Sequence, residues 1–276
     1  MSVRESLSFA AHEARRVTQT PGAFSNWGKV LRDLALEKVG RGPDILHFDT
    51  RTGLAIECPN VAGARVPVYE IFSEDAYRFD WFVGDLRGRP TQVLEVGGHV
   101  GTFACRLSQV LPQAKIDSYE PSPTTAQFFR DNVARNGLGD RITVNEAALS
   151  DKIGTADFGD NDGGSGLNSL LEARPGAANS VIVQTTTYDA AIAALASPPD
   201  IVKLDCEGGE YDLVYASDPA GWASIQRLVL EYHEVPGQTW GRLRDWFGAV
   251  GLEVQHDAPE SDVLGTAWLS RTPLPR

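Results

Sequence analysis

Cysteine is scarce in this chain of 276 residues: Cys58, Cys105 and Cys206 are an odd, widely spaced set with no C-x-x-C pair. That excludes a disulfide framework and a cysteine-based zinc site, and it fits a reducing cytoplasm. Positive charge is in deficit, with 25 Lys+Arg against 37 Asp+Glu and a formal charge of -12. Nucleic acid and anionic membrane surfaces are therefore not the expected partners. No run of about 18 apolar residues is present, which removes a transmembrane helix. The charged start Met1-Ser2-Val3-Arg4-Glu5 lacks the apolar core of an export signal. A G-x-S-x-G elbow and a Walker loop are missing too.

What is present is enough apolar material for a real core: 42% hydrophobic residues with 6 Trp and 11 Phe. Apolar residues spaced by three and four over 1–40 predict two helices, broken at Thr20-Pro21-Gly22. Ile45 to Thr50 and Leu54 to Cys58 read as a hairpin with its turn at Arg51-Thr52-Gly53, and Tyr69 to Leu86 as helical segments. From Gln92 the pattern alternates between strand and helix. Strands are expected at 93–96, 115–119, 142–147, 155–158, 181–185, 201–204, 228–232, 253–256 and 265–270, with helices between several of them. Such alternation means a mostly parallel sheet covered on both faces, its last two strands forming an antiparallel edge. Gly159 to Gly166 reads as a surface loop, with a lid as the second reading.

The strongest local signal is Glu95-Val96-Gly97-Gly98-His99-Val100-Gly101, a strand that ends in a glycine turn before a helix. Glycines let the chain turn sharply and let a ligand lie against bare main chain, although this spacing is not the dinucleotide fingerprint. Glu120, before Pro121, ends the next strand, where a carboxylate can accept both hydroxyls of a ribose. Each feature alone is also what an ordinary loop would show.

Together with Asn132-x-x-x-Asn136-Gly137, Ala147-Ala148-Leu149-Ser150-Asp151 and Lys203-Leu204-Asp205-Cys206-Glu207-Gly208-Gly209-Glu210, these blocks resemble FkbM-like S-adenosylmethionine-dependent methyltransferases. The ordered blocks cover about residues 68 to 235, with Glu95 and His99 departing from the more usual Asp and small polar residue. The resemblance implies a doubly wound, mostly parallel Rossmann-like α/β sheet over 89–276, and the helices and hairpin read from the first third form a cap over 1–88. The cap would shape the acceptor pocket and carry oligomer contacts, with a homodimer as the candidate assembly. It further implies main chain at Gly97, Gly98, His99 and Gly101 beside the cofactor's methionine part, with Glu95 and Asp205 nearby. Glu120 and Pro121 would lie at the ribose, and Glu146 and Ala147 beside the adenine.

Asp205 and Glu207 could accept a substrate proton, bind a divalent cation, or pair with Lys203 in a structural ion network. Glu231 and His233 alternate onto one side of an extended segment, and the ordinary pKa of histidine near neutrality makes His233 a candidate general base, a capping role being the rival. Asp205, Glu231 and His233 form a donor set for Mg²⁺ or Mn²⁺. The cap aromatics Tyr69, Phe72, Tyr77, Phe79, Trp81 and Phe82 could stack on a sugar or simply fill the core. The expected reaction is O-methylation of a sugar, oligosaccharide or glycoside. Methylation of a polyketide or other natural product, and a non-catalytic nucleoside-binding module, are the alternatives.

Overall fold

The computed structural model describes residues 15–159 and 180–274. Helix covers residues 15–23 (α1) and Trp27–Glu37 (α2). The break falls after Ala23, not at Thr20-Pro21-Gly22, because buried Phe24 leaves the helix to bridge Thr50. The expected helical residues before 15 lie outside the described residues. Strands β1 (Ile45–Asp49) and β2 (Ala55–Pro59) pair antiparallel, with Leu46, Phe48, Ile56 and Cys58 buried on one face. Next come α3 (Ala62–Tyr69), a π-helical turn at Glu70–Glu74 and α4 (Phe79–Val83).

The main sheet follows. In chain order its parallel strands are β3 (Thr91–Val96), β4 (Ala114–Tyr119) and β5 (Ile142–Asn145), with α5 (Thr102–Val110) and α6 (Pro123–Arg135) between them. Three further strands, β6 (Ala148–Leu149), β7 (Gly154–Gly159) and β8 (Ser180–Thr186), form a separate small sheet. The strand expected over 142–147 therefore ends at Asn145, and the segments at 155–158 and 181–185 lie in the small sheet and not in the main one. Strands β7 and β8 pair with each other antiparallel. The expected loop beyond Gly159 lies outside the described residues. After α7 (Tyr188–Ala194) the chain returns to the main sheet as β9 (Ile201–Leu204), followed by α8 (Glu210–Ala216), β10 (Arg227–His233), α9 (Trp240–Ala249), β11 (Glu253–Pro259) and β12 (Leu264–Ser270).

The seven-stranded order is β11-β12-β10-β9-β3-β4-β5, with β11 and β12 as the antiparallel edge. From β3 the chain walks outward to β5, then restarts at β9 on the other side. Helices cover both faces, so the sheet is doubly wound. That reversal between β3 and β9 is the topological switch point, where the carboxyl ends of open α/β sheets leave a crevice.

Two apolar clusters fill the two faces. One contains Trp222, stacked on Tyr188 at 4.2 Å, with Tyr211 and Phe247. The other runs without interruption from Phe24, Phe48, Tyr69 and Phe82 of the N-terminal elements to Phe103 and Phe129 of α5 and α6. Residues before 89 thus share their core with the sheet.

Asn132 and Asn136 explain how the hairpin docks. Asn132 accepts from the Glu57 N–H and donates to the Glu57 carbonyl, each at 2.8 Å, while Asn136 does the same for Ala55 at 2.9 and 2.8 Å. Positions i and i+4 of a helix are about 6 Å apart and i and i+2 of a strand about 6.7 Å, so two helix amides can replace a missing strand partner. Asn132 also donates to the Val100 carbonyl at 2.9 Å. We expect Asn132→Ala to destabilise the protein by about 3 kcal/mol through the stranded backbone groups; a loss below about 1 kcal/mol in denaturant titration would contradict this reading.

Candidate active site

A cavity of about 580 Å³ opens at the carboxyl ends of the parallel strands. One wall consists of Val96, Gly97, His99, Tyr119, Glu120, Pro121 and Ala147. Gly97 and Gly101 take φ of +78° and +85°, which a glycine adopts freely. The space a Cβ would fill is taken by protein, since it would strike the Asp205 carbonyl at Gly97 and the Phe129 ring at both Gly98 and Gly101. Gly97 and His99 face the cavity, whereas Gly98 and Gly101 serve the close packing of loop on helix. Glu120 is buried at the end of β4, and its two oxygens accept from the His99 N–H at 2.8 Å and the Ser122 N–H at 2.9 Å. The carboxylate is thereby pinned where it lines the cavity.

The opposite wall is acidic, with Glu70, Asp205, Glu207, Glu231 and Glu260 around His233. Asp205 pairs with buried Lys203 at 3.0 Å, and the same ammonium donates to the Gly97 carbonyl at 2.5 Å, tying β9 to the glycine turn. Burial, then the neighbouring Glu231 and Asp205, raise Glu70 to about 8. Burial and Asp205 raise Glu207 to about 8, and the same two causes raise Glu231. Burial works against charge on His233, but its hydrogen bonds to Glu210 and Glu231 prevail and push it up to about 11. The near-neutral pKa behind the expected base role is therefore lost: the imidazole already holds its proton, and a protonated ring cannot accept another.

One donor atom each from Asp205, Glu231 and His233 lies within 4.8 Å of the others. Two carboxylates and an imidazole at that spacing suit a divalent cation. The carboxyl groups that burial raises also set a pH dependence. Glu70 and Glu207 keep protons up to about 8, whereas an unfolded Glu releases its own near 4.5, so the native state binds more protons in between. His233, holding its proton to about 11 against 6.5 unfolded, acts in the same direction above that lower value. The contribution of these groups to stability is greatest at low pH and falls as pH rises. Melting temperature should decline from pH 5 to 9, and Glu70→Gln should flatten the decline; an equal slope in the variant would contradict the assignment.

Not every expected residue reaches the cavity. Glu95 is fully buried within β3, where burial raises it to about 7 and Lys203 and Ser118 pull the other way. Glu146 turns away to pair with Arg130 at 2.8 Å, because a three-residue turn closed by Ala147 N–H on the Asn145 carbonyl reverses the chain there. Of the six cap aromatics, Tyr69, Tyr77, Phe79 and Phe82 are buried, and Phe72 and Trp81 are packed against the same core. None of the six lines the cavity, so their role is packing.

The motif blocks, their order and their position at strand ends now stand beside two kinds of similarity. Residues 95–256 match the methyltransferase FkbM domain family. The chain belongs to that family. Membership makes it a methyltransferase with S-adenosylmethionine as methyl donor. Methyltransferase sdnD of Sordaria araneosa is 25% identical over 224 residues, 71% of this chain and 83% of that protein. The 2-O-methyltransferase NoeI of Sinorhizobium fredii (strain NBRC 101917 / NGR234) is 35% identical over 71 residues, 26% of this chain and 28% of its own. A SAM-dependent methyltransferase structure from Agrobacterium tumefaciens superposes with a TM-score of 0.47 at 12% identity, covering 83% of this chain and 71% of that one.

Sequence reasoning missed Glu70 and Glu260, which lie outside the residues matched to the FkbM domain yet line the cavity. Glu70 sits on the π-helical turn, a distortion often found at functional sites, and no local pattern marked it. Glu260 follows β11, its N–H donating to the Leu264 carbonyl across the β11–β12 turn. Only the folded chain brings these two flanks together.

Proposed function

We propose that this FkbM methyltransferase transfers the methyl group to a hydroxyl of a sugar, oligosaccharide or glycoside bound against the acidic wall. The observation that carries the reading is the single cavity in which the pinned Glu120 and the carboxylates of Asp205, Glu207 and Glu231 face one space. Bound S-adenosylmethionine supplies an electrophilic methyl carbon. Glu120 would hold the ribose hydroxyls, Gly97 and His99 would offer main chain to the amino-acid portion, and Ala147 would lie at the base. On the acceptor side, Glu231, and Glu207 once it has lost its own proton towards pH 8, are the groups proposed to take the hydroxyl proton, since burial raises the proton affinity of both. Residues of the N-terminal elements, including Val66, Pro67 and Glu70, would shape the acceptor pocket. That NoeI is a 2-O-methyltransferase supports oxygen as the acceptor atom.

Asp205, Glu231 and His233, the last giving up a ring proton to do so, would hold a divalent cation such as Mg²⁺, whose chemistry is to acidify a bound hydroxyl. In that case a chelator abolishes turnover and Mg²⁺ restores it; a rate unmoved by chelation removes the ion. The test of the main reading is transfer of a labelled methyl group to a panel of glycans and polyketides. Glycan-dependent incorporation is the expected outcome. Incorporation confined to polyketides would replace the acceptor class, and cofactor binding with no transfer would leave a nucleoside-binding module.

A further inference from the structure

Glu210 has no part in the proposed transfer, yet it sits where three elements of the site meet. It opens α8 and is fully buried. Its Oε1 accepts from the Cys206 N–H at 2.8 Å and the Gly208 N–H at 3.3 Å, and lies 3.3 Å from His233 Nδ1. Its Oε2 has no hydrogen-bond partner. Burying a carboxylate this way is costly unless the charge is held by fixed donors and a cation. Between those two amides, Glu207 and Gly208 take φ of +51° and +95°. For a non-glycine residue such a backbone is strained, and it persists only where its surroundings enforce it.

The imidazole of His233 is thereby divided. Nδ1 faces the buried Glu210, while Nε2 lies 3.2 Å from Glu207 Oε2 and 3.5 Å from Glu231 Oε1. We propose that Glu210 is a positioning residue that acts through His233: it accepts the Nδ1 proton and so fixes the ring with Nε2 toward Glu207 and Glu231. The same oxygen clamps the Cys206–Gly208 loop that carries Glu207. Both carboxylates proposed to take the acceptor proton are held by this one buried group, and the inference rests on that reading of the cavity. Carboxylates that orient an imidazole through its second nitrogen act in this manner where a ring must present one face.

Glu210→Gln separates charge from shape, since a carboxamide oxygen can still accept from the two amides. The test uses the full chain, ¹⁵N-labelled and in chelator-containing buffer, with imidazole ¹⁵N spectra recorded at neutral pH. In the wild type, His233 should carry a proton on Nδ1, the nitrogen that faces Glu210. In Glu210→Gln that proton should exchange with water at least tenfold faster. Affinity for S-adenosylhomocysteine should stay within about threefold, whereas turnover should fall about 100-fold at unchanged acceptor KM. An Nδ1 proton equally protected in the variant overturns the proposal. Should the variant fail to fold, the wild type decides alone, because a ring protonated only on Nε2 at neutral pH also overturns it. These spectra need no acceptor, so a wild type with the protected Nδ1 proton but no methyl transfer would count against the transfer reading and not against the role of Glu210.

Discussion

Gly97→Ala should leave the protein unfolded or insoluble, with a loss of more than about 3 kcal/mol. Two independent costs coincide at this residue. Its φ of +78° is disfavoured for any side chain, and a Cβ would collide with the carbonyl of Asp205. That carbonyl cannot retreat, because Asp205 N–H donates to the Val96 carbonyl at 3.1 Å and the Asp205 side chain is fixed by Lys203. Lys203 in turn holds the Gly97 carbonyl, so every group around the missing side chain is tied to another. By contrast, Gly139→Ala, at a position with open space and no left-handed backbone, should be tolerated within about 0.5 kcal/mol. Equal melting temperatures for Gly97→Ala and the wild type would show that the β3–β9 junction is looser than described.

Glu120→Ala should weaken binding of the cofactor product S-adenosylhomocysteine by at least 10-fold to 100-fold in calorimetry. Hydrogen bonds to a charged group contribute about 1.5–3 kcal/mol each, and a tenfold change in Kd corresponds to about 1.4 kcal/mol. The substitution also strands the N–H groups of His99 and Ser122, both now bound to this carboxylate. Glu120→Gln keeps an acceptor oxygen and should therefore fall between wild type and alanine. Unchanged affinity in both variants would remove Glu120 from the ribose and oblige a different placement of the cofactor.

What could be read without coordinates was local and periodic. The strand ending at Val96, the glycine turn and the strand ending before Glu120 each declare themselves within about ten residues, and parallel pairing of β3 with β4 then places both ends side by side. The same logic brought Glu231 and His233 to one side of β10, as their shared cavity shows. Properties fixed by distant neighbours were hidden. The glycines looked like room for a ligand, while the groups that need the space are Asp205 and Phe129. A near-neutral base was expected at His233, but Glu210, 23 residues earlier in the chain, lies 3.3 Å from its Nδ1 and helps push the ring up to about 11. Glu146 was displaced by a single tight turn, since one residue of rotation sends a side chain to the other face. Neither Glu70 nor Glu260 had a local signature, because cavity walls built from opposite flanks of a sheet exist only after folding.

The placement of the cofactor underlies the whole account, and a crystal structure of the full chain with S-adenosylhomocysteine tests it most directly. The ribose hydroxyls are expected within hydrogen-bonding distance of the Glu120 carboxylate, the base beside Ala147, and the thioether sulfur turned toward Asp205, Glu207 and Glu231. A ligand bound elsewhere on the molecule, with the strand ends above β3 and β4 empty, would contradict it.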